Sequence, residues 1–423
     1  MRLFVWEYVT GGGCLGSPLP ASLAAEAAMM VRAAVRDCAD IPGVAVTVAW
    51  DRRCGPGPVD AAACEVAGDA PPWDIWRDLL TESDVVWPVA PETGGVLRQV
   101  TRMIEERGAT LLASRGGAVA IAASKTVTAQ LLTACGVPVV PAIQLSDLAI
   151  ELGIEESASA MCPHPTLPRR RGRASDSIGF DHPPPLAGEG RGGGSARDGD
   201  PHPPLPLAGE GRGEGGFSLY SSLPPASCNE LPSPRPSPAS GRGSGYVVKP
   251  DDGAGCDETW FLADEAALRG WAQHRRGGDT MIVQPFVPGD ALSVSALMRD
   301  GEAWVLSCNR QRVVRGEDGR FVYRGGVGGG AEDRRTALEL VAAAVARALP
   351  GLWGHVGIDL IDSPDSGPVV VDVNPRLTTS YVALRECIGV NPAALLLSLT
   401  EQPLAALRRP LTVRPVEIAV VSA

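Results

Sequence analysis

Gly357-Ile358-Asp359-Leu360-Ile361-Asp362 returns as Val369-Val370-Val371-Asp372-Val373-Asn374-Pro375-Arg376, and both halves read as strands of one antiparallel hairpin. Side chains alternate between the faces of a strand, so Asp372, Asn374 and Arg376 share one face while Val371 and Val373 point to a core. A four-residue turn, Pro364 to Gly367, pairs Ser363 with Pro368 and sets Asp359 directly across from Asp372. Opposed Cβ atoms lie about 5 Å apart, where like charges destabilise the pair unless a cation offsets them. Two carboxylates and an Asn amide oxygen are hard ligands, suited to Mg2+ that also holds substrate phosphates rather than to zinc. The competing reading is a solvated polar face on an edge hairpin.

At 423 residues the chain suffices for two or three domains, and 44% hydrophobic composition fits a soluble globular protein. No apolar run approaches the roughly 20 residues of a membrane span. Met1-Arg2-Leu3-Phe4-Val5-Trp6 leads into a strand and a Gly-rich turn rather than a signal peptide, so a cytoplasmic location without membrane partners is expected. Ten cysteines without Cys-x-x-Cys spacing argue against a zinc knuckle and a secreted disulfide framework. A net charge of -11 disfavours nucleic acid as a partner.

Of 38 basic residues only Lys125 and Lys249 are lysines, so surface salt bridging has passed to arginine. A compact ammonium touching phosphate as a point charge explains why these two remain; chance retention is the bland alternative. Three of the five histidines, His164, His182 and His202, lie in a low-complexity stretch. That leaves His274 and His355, and little support for chemistry resting on a histidine base.

Residues 1–110 alternate strand and helix: strands at Leu3 to Val9, Val44 to Trp50 and Asp84 to Val89, helices at Ala21 to Cys38 and around Met103. This predicts an α/β domain with a parallel sheet. Gly11-Gly12-Gly13 makes no dinucleotide fingerprint; it is a substrate-facing loop or a plain turn. Ser124 caps a helix that opens on Lys125 and stops at Gly136, with a strand expected from Val137 to Ile143. A cation in a first helical turn opposes the dipole unless an anion sits nearby. Tyr246 to Pro250 is a strand ending in Lys249, followed by the small residues Gly253-Ala254-Gly255, whose N–H groups can close over phosphates. Further on, Leu292 to Met298 pairs with Ala303 to Cys308, and Arg334 to Leu349 is a helix, so the C-terminal half is α+β.

Residues 162–243 break this pattern. Leu186-Ala187-Gly188-Glu189-Gly190-Arg191-Gly192 recurs as Leu207-Ala208-Gly209-Glu210-Gly211-Arg212-Gly213, in a Pro/Gly/Arg-rich stretch with too few apolar residues to offset ordering entropy. Composition predicts disorder and a translated mobile repeat interrupting a loop; an arginine-bearing interaction arm is the minority reading. Deleting residues 164–243 should therefore leave turnover intact, and an inactive but folded deletion would count against the idea.

The ordered set of Lys125, Lys249 with its glycine loop, Gln284-Pro285-Phe286-Val287-Pro288-Gly289-Asp290, Asp359 and Asp372-Val373-Asn374-Pro375-Arg376 resembles the ATP-grasp superfamily of carboxylate-amine ligases. The resemblance implies an ATP-grasp fold: an N-terminal pre-ATP-grasp domain (1–110), a first subdomain (111–161 and 244–286), the insert (162–243), a second subdomain with the metal site (287–408), and a tail (409–423). It implies ATP and Mg2+, with Mn2+ an alternative, and small-molecule carboxylate and amine substrates, with a homodimer allowed. Lys125, Lys249, Gly253, Ala254 and Gly255 would meet phosphates, Gln284, Pro285, Phe286 and Val287 the adenine, and Asp290 the ribose. Asp359, Asp372 and Asn374 would hold the metal, although the family more often has Glu where Asp372 stands. Arg376 would face the acyl-phosphate, with Arg310 and Arg312 either oxyanion stabilisers or surface arginines. Trp6-Glu7-Tyr8-Val9-Thr10-Gly11-Gly12, Pro91-Glu92-Thr93, Asn309-Arg310-Gln311 and Leu377-Thr378-Thr379-Ser380-Tyr381 are similar to the tyramine-glutamate ligases of methanofuran-type cofactor biosynthesis. A dipeptide ligase of the D-alanine-D-alanine type, or a nucleotide-binding protein degenerate in catalysis, is the alternative.

Overall fold

The computed structural model describes residues 1–152, 245–253, 255–275 and 280–420. The repeat insert and Ala254 lie outside the described residues. Among those described, no helix is long and apolar enough to cross a membrane.

The N-terminal part comprises β1 (Arg2–Glu7), α1 (Ala21–Ala39), β2 (Ala45–Asp51), β3 (Ala62–Val66), α2 (Trp73–Glu82), β4 (Val85–Val89), α3 (Val96–Arg107) and β5 (Thr110–Leu111). Its strands form a parallel sheet in the order β3-β2-β1-β4-β5. Leu3 and Val5 pack on one face with Val31 and Val35 of α1, Phe4 and Trp6 on the other with Trp76 and Leu97. Burial on both faces explains the unbroken apolar run of β1. Residues Val9–Gly13 form one turn of π-helix, buried throughout, in which Gly12 has φ +93 and a Cβ on Gly13 would meet the Tyr8 ring at 2.4 Å. The glycines allow this close packing. The edge strand β3 escapes a sequence reading because Ala62-Ala63-Cys64-Glu65 is mostly exposed and carries no apolar alternation.

Next come α4 (Gly116–Ala122), α5 (Lys125–Ala134), β6 (Ile143–Gln144), α6 (Leu145–Leu152), β7 (Tyr246–Pro250), β8 (Trp260–Leu262), α7 (Glu265–His274) and β9 (Met281–Pro285). The strands make an antiparallel sheet in the order β6-β9-β7-β8 over a small core of Val248, Leu268, Met281 and Val283. The strand expected over 137–143 is not formed as such. Pro138 and Pro141 withhold N–H groups from any ladder, leaving β6 and a single bridge from Val139 to Val370.

The remainder holds β10 (Asp290–Arg299), β11 (Glu302–Arg315), β12 (Phe321–Gly328), α8 (Arg335–Ala348), β13 (Gly354–Ser363), β14 (Gly367–Asn374), α9 (Tyr381–Ile388), α10 (Pro392–Ser398), α11 (Leu404–Leu407) and β15 (Val416–Ile418). The sheet order is β14-β13-β10-β11-β12-β15. One face meets α8, where Leu338, Val341 and Val345 pack with Leu292, Val294, Leu360, Val370 and Val373. The other face carries Ser293, Asn309, Gln311 and Asp359. The 409–423 segment is not simply a tail: β15 pairs with β12, and Glu417 accepts from Arg312 at 2.8 and 2.6 Å. Leu377, Tyr381, Leu384 and Leu396 join the N-terminal Leu3, Val31 and Trp87 in one continuous core.

The hairpin differs from its expected register in an instructive way. Ser363 pairs with Gly367, not Pro368, across a three-residue turn that Gly367 enters with φ +70. A bulge beyond Leu360 then leaves Val371 unpaired, and Asp359 is again opposite Asp372. The core valines are consequently Val370 and Val373, while Val371 is only half-buried.

His355 on β13 is 3% exposed, with Nδ1 3.4 Å from the Arg376 carbonyl and its ring edge-on to Tyr381. Burial lowers its imidazole to about 4 from 6.5. Above pH 6.5 the ring is neutral in both states and contributes nothing to the pH dependence. As pH falls from there toward 4, the unfolded chain gains a proton that the native state refuses, and stability drops by up to about 3 kcal/mol. His355→Phe should flatten this acid limb in urea melts on either side of the window; an unchanged slope would refute the assignment.

Candidate active site

Helix α5 begins at Ser124, whose Oγ accepts from Val127 N at 3.2 Å. Asp251, two residues beyond Lys249, reinforces that end: its carboxylate accepts from Thr126 N at 2.9 Å, Thr126 Oγ1 at 3.0 Å and Ser124 Oγ at 2.7 Å. An acid at a helix N-terminus is favourable with the dipole, and here it offsets the lysine that follows the cap. Lys125 Nζ donates to Gly253 O at 2.6 Å and Asp251 O at 3.3 Å, and lies 3.2 Å from Asp372 Oδ2. Lys249, 7% exposed at the end of β7, is brought to the same place. Burial lowers its ammonium to about 8; Asp372 counters that effect and Lys125 adds to it.

The two aspartates complete the cluster. Asp359 accepts from Gln311 Nε2 at 2.8 Å and Asn374 Nδ2 at 3.0 Å. Burial, and then the charge of Asp372, raise its carboxyl to about 6. Asp372 accepts its neighbour's N–H, Val373 N, at 3.0 Å. The set fits a hard divalent cation in its chemistry: two opposed carboxylates whose charges raise each other's cost, and an amide whose oxygen is one bond rotation from the position its nitrogen takes. Among the described residues no cluster of three or more His, Cys, Asp or Glu side chains could hold a metal. Such a site suits Mg2+, which needs few protein ligands when phosphates supply the rest, better than zinc.

Other expected residues divide. Gln284 is buried and donates to Val140 O at 3.2 Å; Phe286 N donates to Gly245 O at 2.8 Å, with its ring edge-on to Phe261. Pro285, Phe286 and Val287 are half-exposed as the chain leaves β9. Gly253 and Gly255 lie in the loop after Lys249, where Lys125 holds the Gly253 carbonyl.

Arg310 lies apart from this cluster. It pairs with Leu292 in the sheet and so points to the α8 face, with Asp290 and the Gly330 carbonyl as partners. Strand alternation puts the next residue, Gln311, on the Asp359 face instead. Asp290, with a side chain 67% exposed, is committed to Arg310 at the outer end of β10.

Arg376 is present but held differently from expectation. Its Nε and Nη2 donate to the two oxygens of Glu92, both at 2.8 Å, with the side chains 11% and 7% exposed. Glu92 stands beyond the carboxyl end of β4 and Glu7 is the last residue of β1, the two strands between which the sheet order reverses, the usual location of a ligand crevice. Burial raises the Glu7 carboxyl to about 7, against the pull of the Thr10 and Val9 N–H groups. Asp251, Glu92 and Gln311 were not singled out from sequence as site residues. Asp251 adjoins the lysine strand, Glu92 lies in Pro91-Glu92-Thr93, and Gln311 neighbours the candidate Arg310 in Asn309-Arg310-Gln311.

Comparison with known proteins agrees with this architecture. A family model described as ATP-grasp domain matches residues 220–380, and one described as pre ATP-grasp 3 domain matches residues 44–119. The tyramine–L-glutamate ligase of Methanocaldococcus fervens is 29% identical over 143 residues, covering 33% of this chain and 40% of that protein. The protein of the same name from Methanocaldococcus jannaschii is 30% identical over 143 residues, covering 33% and 38%. The match thus spans about two fifths of the length of these curated relatives. Among solved structures, an ATP-grasp superfamily protein from Archaeoglobus fulgidus superposes with a TM-score of 0.55 at 18% identity, covering 94% of this chain and 88% of its own. An L-amino acid ligase from Bacillus licheniformis gives 0.52 at 15%, covering 95% and 74%. Identities of this size carry the fold alone. With a parallel sheet at its N-terminal end, two further sheets facing a lysine-aspartate cluster, and both family models matched in order, the chain carries a pre-ATP-grasp domain followed by an ATP-grasp domain.

Proposed function

We propose that this protein is an ATP-dependent carboxylate-amine ligase that forms an amide through an acyl-phosphate, joining tyramine to the side-chain carboxylate of glutamate. The observation that carries the reading is the meeting of the chain's only two lysines with the opposed Asp359 and Asp372 in one buried place. Phosphate oxygens would replace the Gly253 carbonyl and Asp372 as partners of Lys125, and Lys249 would exchange its burial penalty for an anion. Two ammonium charges there reduce the repulsion between an incoming carboxylate and the γ-phosphoryl group, so catalysis is positioning and electrostatics. A divalent cation held by Asp359, Asp372 and Asn374 Oδ1 would add neutralising charge on the phosphates. Arg376 would present its guanidinium to the acyl-phosphate and to the adduct formed as the amine attacks. The chain from Gln284 to Val287 would border the adenine. Asp290 and Arg310 are not carried into this machinery. The choice of tyramine and glutamate is supported by the names of the two relatives and by the motif likeness, not by the residues alone.

The test is ADP release measured across acids and amines, tyramine with L-glutamate first. Release that needs both supports the reading. Release with D-alanine alone would favour a dipeptide ligase, and nucleotide binding without turnover for any pair would favour a catalytically degenerate protein.

A further inference from the structure

Three successive residues of one loop connect the two ends of this site. Glu92 grips Arg376 through two hydrogen bonds across 284 residues of sequence. Thr93 Oγ1 donates to Asp252 O at 2.8 Å, and Gly94 N donates to the Asp252 carboxylate at 2.8 Å. Asp252 belongs to the loop between Lys249 and Gly255, whose Gly253 carbonyl is held by Lys125. The linking loop itself is anchored at both ends, by the wholly buried β4 before it and by the start of α3 after it, where Leu97 N donates to Pro91 O at 3.0 Å.

We propose that the Pro91–Gly95 loop is a relay from the phosphate loop to Arg376, with Glu92 the positioning residue for the guanidinium and Asp252 the contact through which nucleotide is sensed. This rests on the proposed nucleotide site at Lys125 and Lys249. The element with two states is the Asp251–Gly253 segment: a phosphate arriving at Lys125 competes with the Gly253 carbonyl for the same ammonium, and the Asp252 contacts move with that exchange. Coupling of this kind requires a physically continuous path with different contacts in the two states, and the Asp252 contacts fall on the first and second residues after Glu92. The Glu92–Arg376 pair has the geometry for positional control: a planar fork on a carboxylate, both largely removed from water, fixes the direction of the guanidinium as well as its place.

The experiment is hydrogen exchange on the full chain with and without MgADP, for the unsubstituted protein, Asp252→Ala and Glu92→Gln. In the unsubstituted protein MgADP should slow exchange in segments 91–97 and 374–380. Asp252→Ala should bind MgADP within about threefold of normal yet lose the response at 374–380. Glu92→Gln should keep the response at 91–97, lose it at 374–380, and lower kcat by about 30-fold with KM for ATP nearly unchanged. A purely structural role would lower protection everywhere rather than one segment's response. A response at 374–380 that persists in both variants, or is absent from the unsubstituted protein with MgADP bound, overturns the relay. Failure of the unsubstituted protein to bind MgADP would instead overturn the nucleotide site beneath it.

Discussion

Asp359→Asn is expected to abolish ADP formation, by about a thousandfold, and to leave the protein folded. The substitution removes one of two opposed negative charges while keeping the shape of the side chain. Asp359 now accepts from both Gln311 and Asn374, and an amide oxygen can still accept one of these bonds. Burial and Asp372 already raise this carboxyl to about 6, so the native structure disfavours its charge, and a neutral group there should not destabilise the metal-free protein. What is lost is the charge that a cation and its phosphates would answer. Thermal melts should show the variant as stable as the unsubstituted protein without magnesium, with a smaller rise on adding MgADP. An unchanged ADP-release rate would mean that the opposed carboxylates are not the centre of the chemistry.

Lys249→Arg should reduce turnover by about a hundredfold although the charge is kept. The ammonium is 7% exposed, and its surroundings already depress it to about 8. A planar guanidinium is wider, needs more donors satisfied, and cannot occupy the same buried point, within the electrostatic reach of Asp372 and Lys125. The effect should appear mainly in KM for ATP if Lys249 holds ground-state phosphate, and in kcat if its contact tightens only during transfer. Arg312→Lys is the matched control. That side chain is 51% exposed on Glu417, and exposed pairs contribute little, so its rate should not change. Equal rates for both variants would remove the reason given for the rarity of lysine in this chain.

Much of the architecture could be read before any coordinates. Strand β1 announces itself by four consecutive large apolar residues, β7 by its valines ending in Lys249, and α5 by Ser124 and Gly136 at its two ends. The facing of Asp359 and Asp372 was also legible, but through two displacements that cancel. The turn is one residue shorter than its Pro-Asp-Ser-Gly sequence suggests, because Gly367 can take a left-handed backbone, and the bulge at Val371 returns the missing residue. Local sequence does not encode a bulge, since only the competition of Val370 and Val373 for the core selects it.

Contacts between distant segments were the other blind spot. Nothing near Glu92 hints at Arg376, and nothing in Cys308-Asn309-Arg310-Gln311-Arg312 says which alternate residues meet α8. Its arginines draw the eye, but Gln311 is the residue on the Asp359 face. Asp290, which the resemblance assigns to the ribose, is paired here with Arg310.

The shared core of the N-terminal sheet with α9 and α10 has a mechanical consequence. Leu3, Val31, Trp87, Leu384 and Leu396 lie in one apolar body, whereas Val248, Leu268, Met281 and Val283 form a small body of their own. Prising the first apart would wet a large greasy surface; swinging the second need only release polar latches and the stacking of Arg315 on Phe261 and Arg320 on Trp260. If the enzyme opens to admit nucleotide, the four-stranded lobe is the jaw that travels, and the apolar body shared by the N-terminal sheet, α9 and α10 is the anvil.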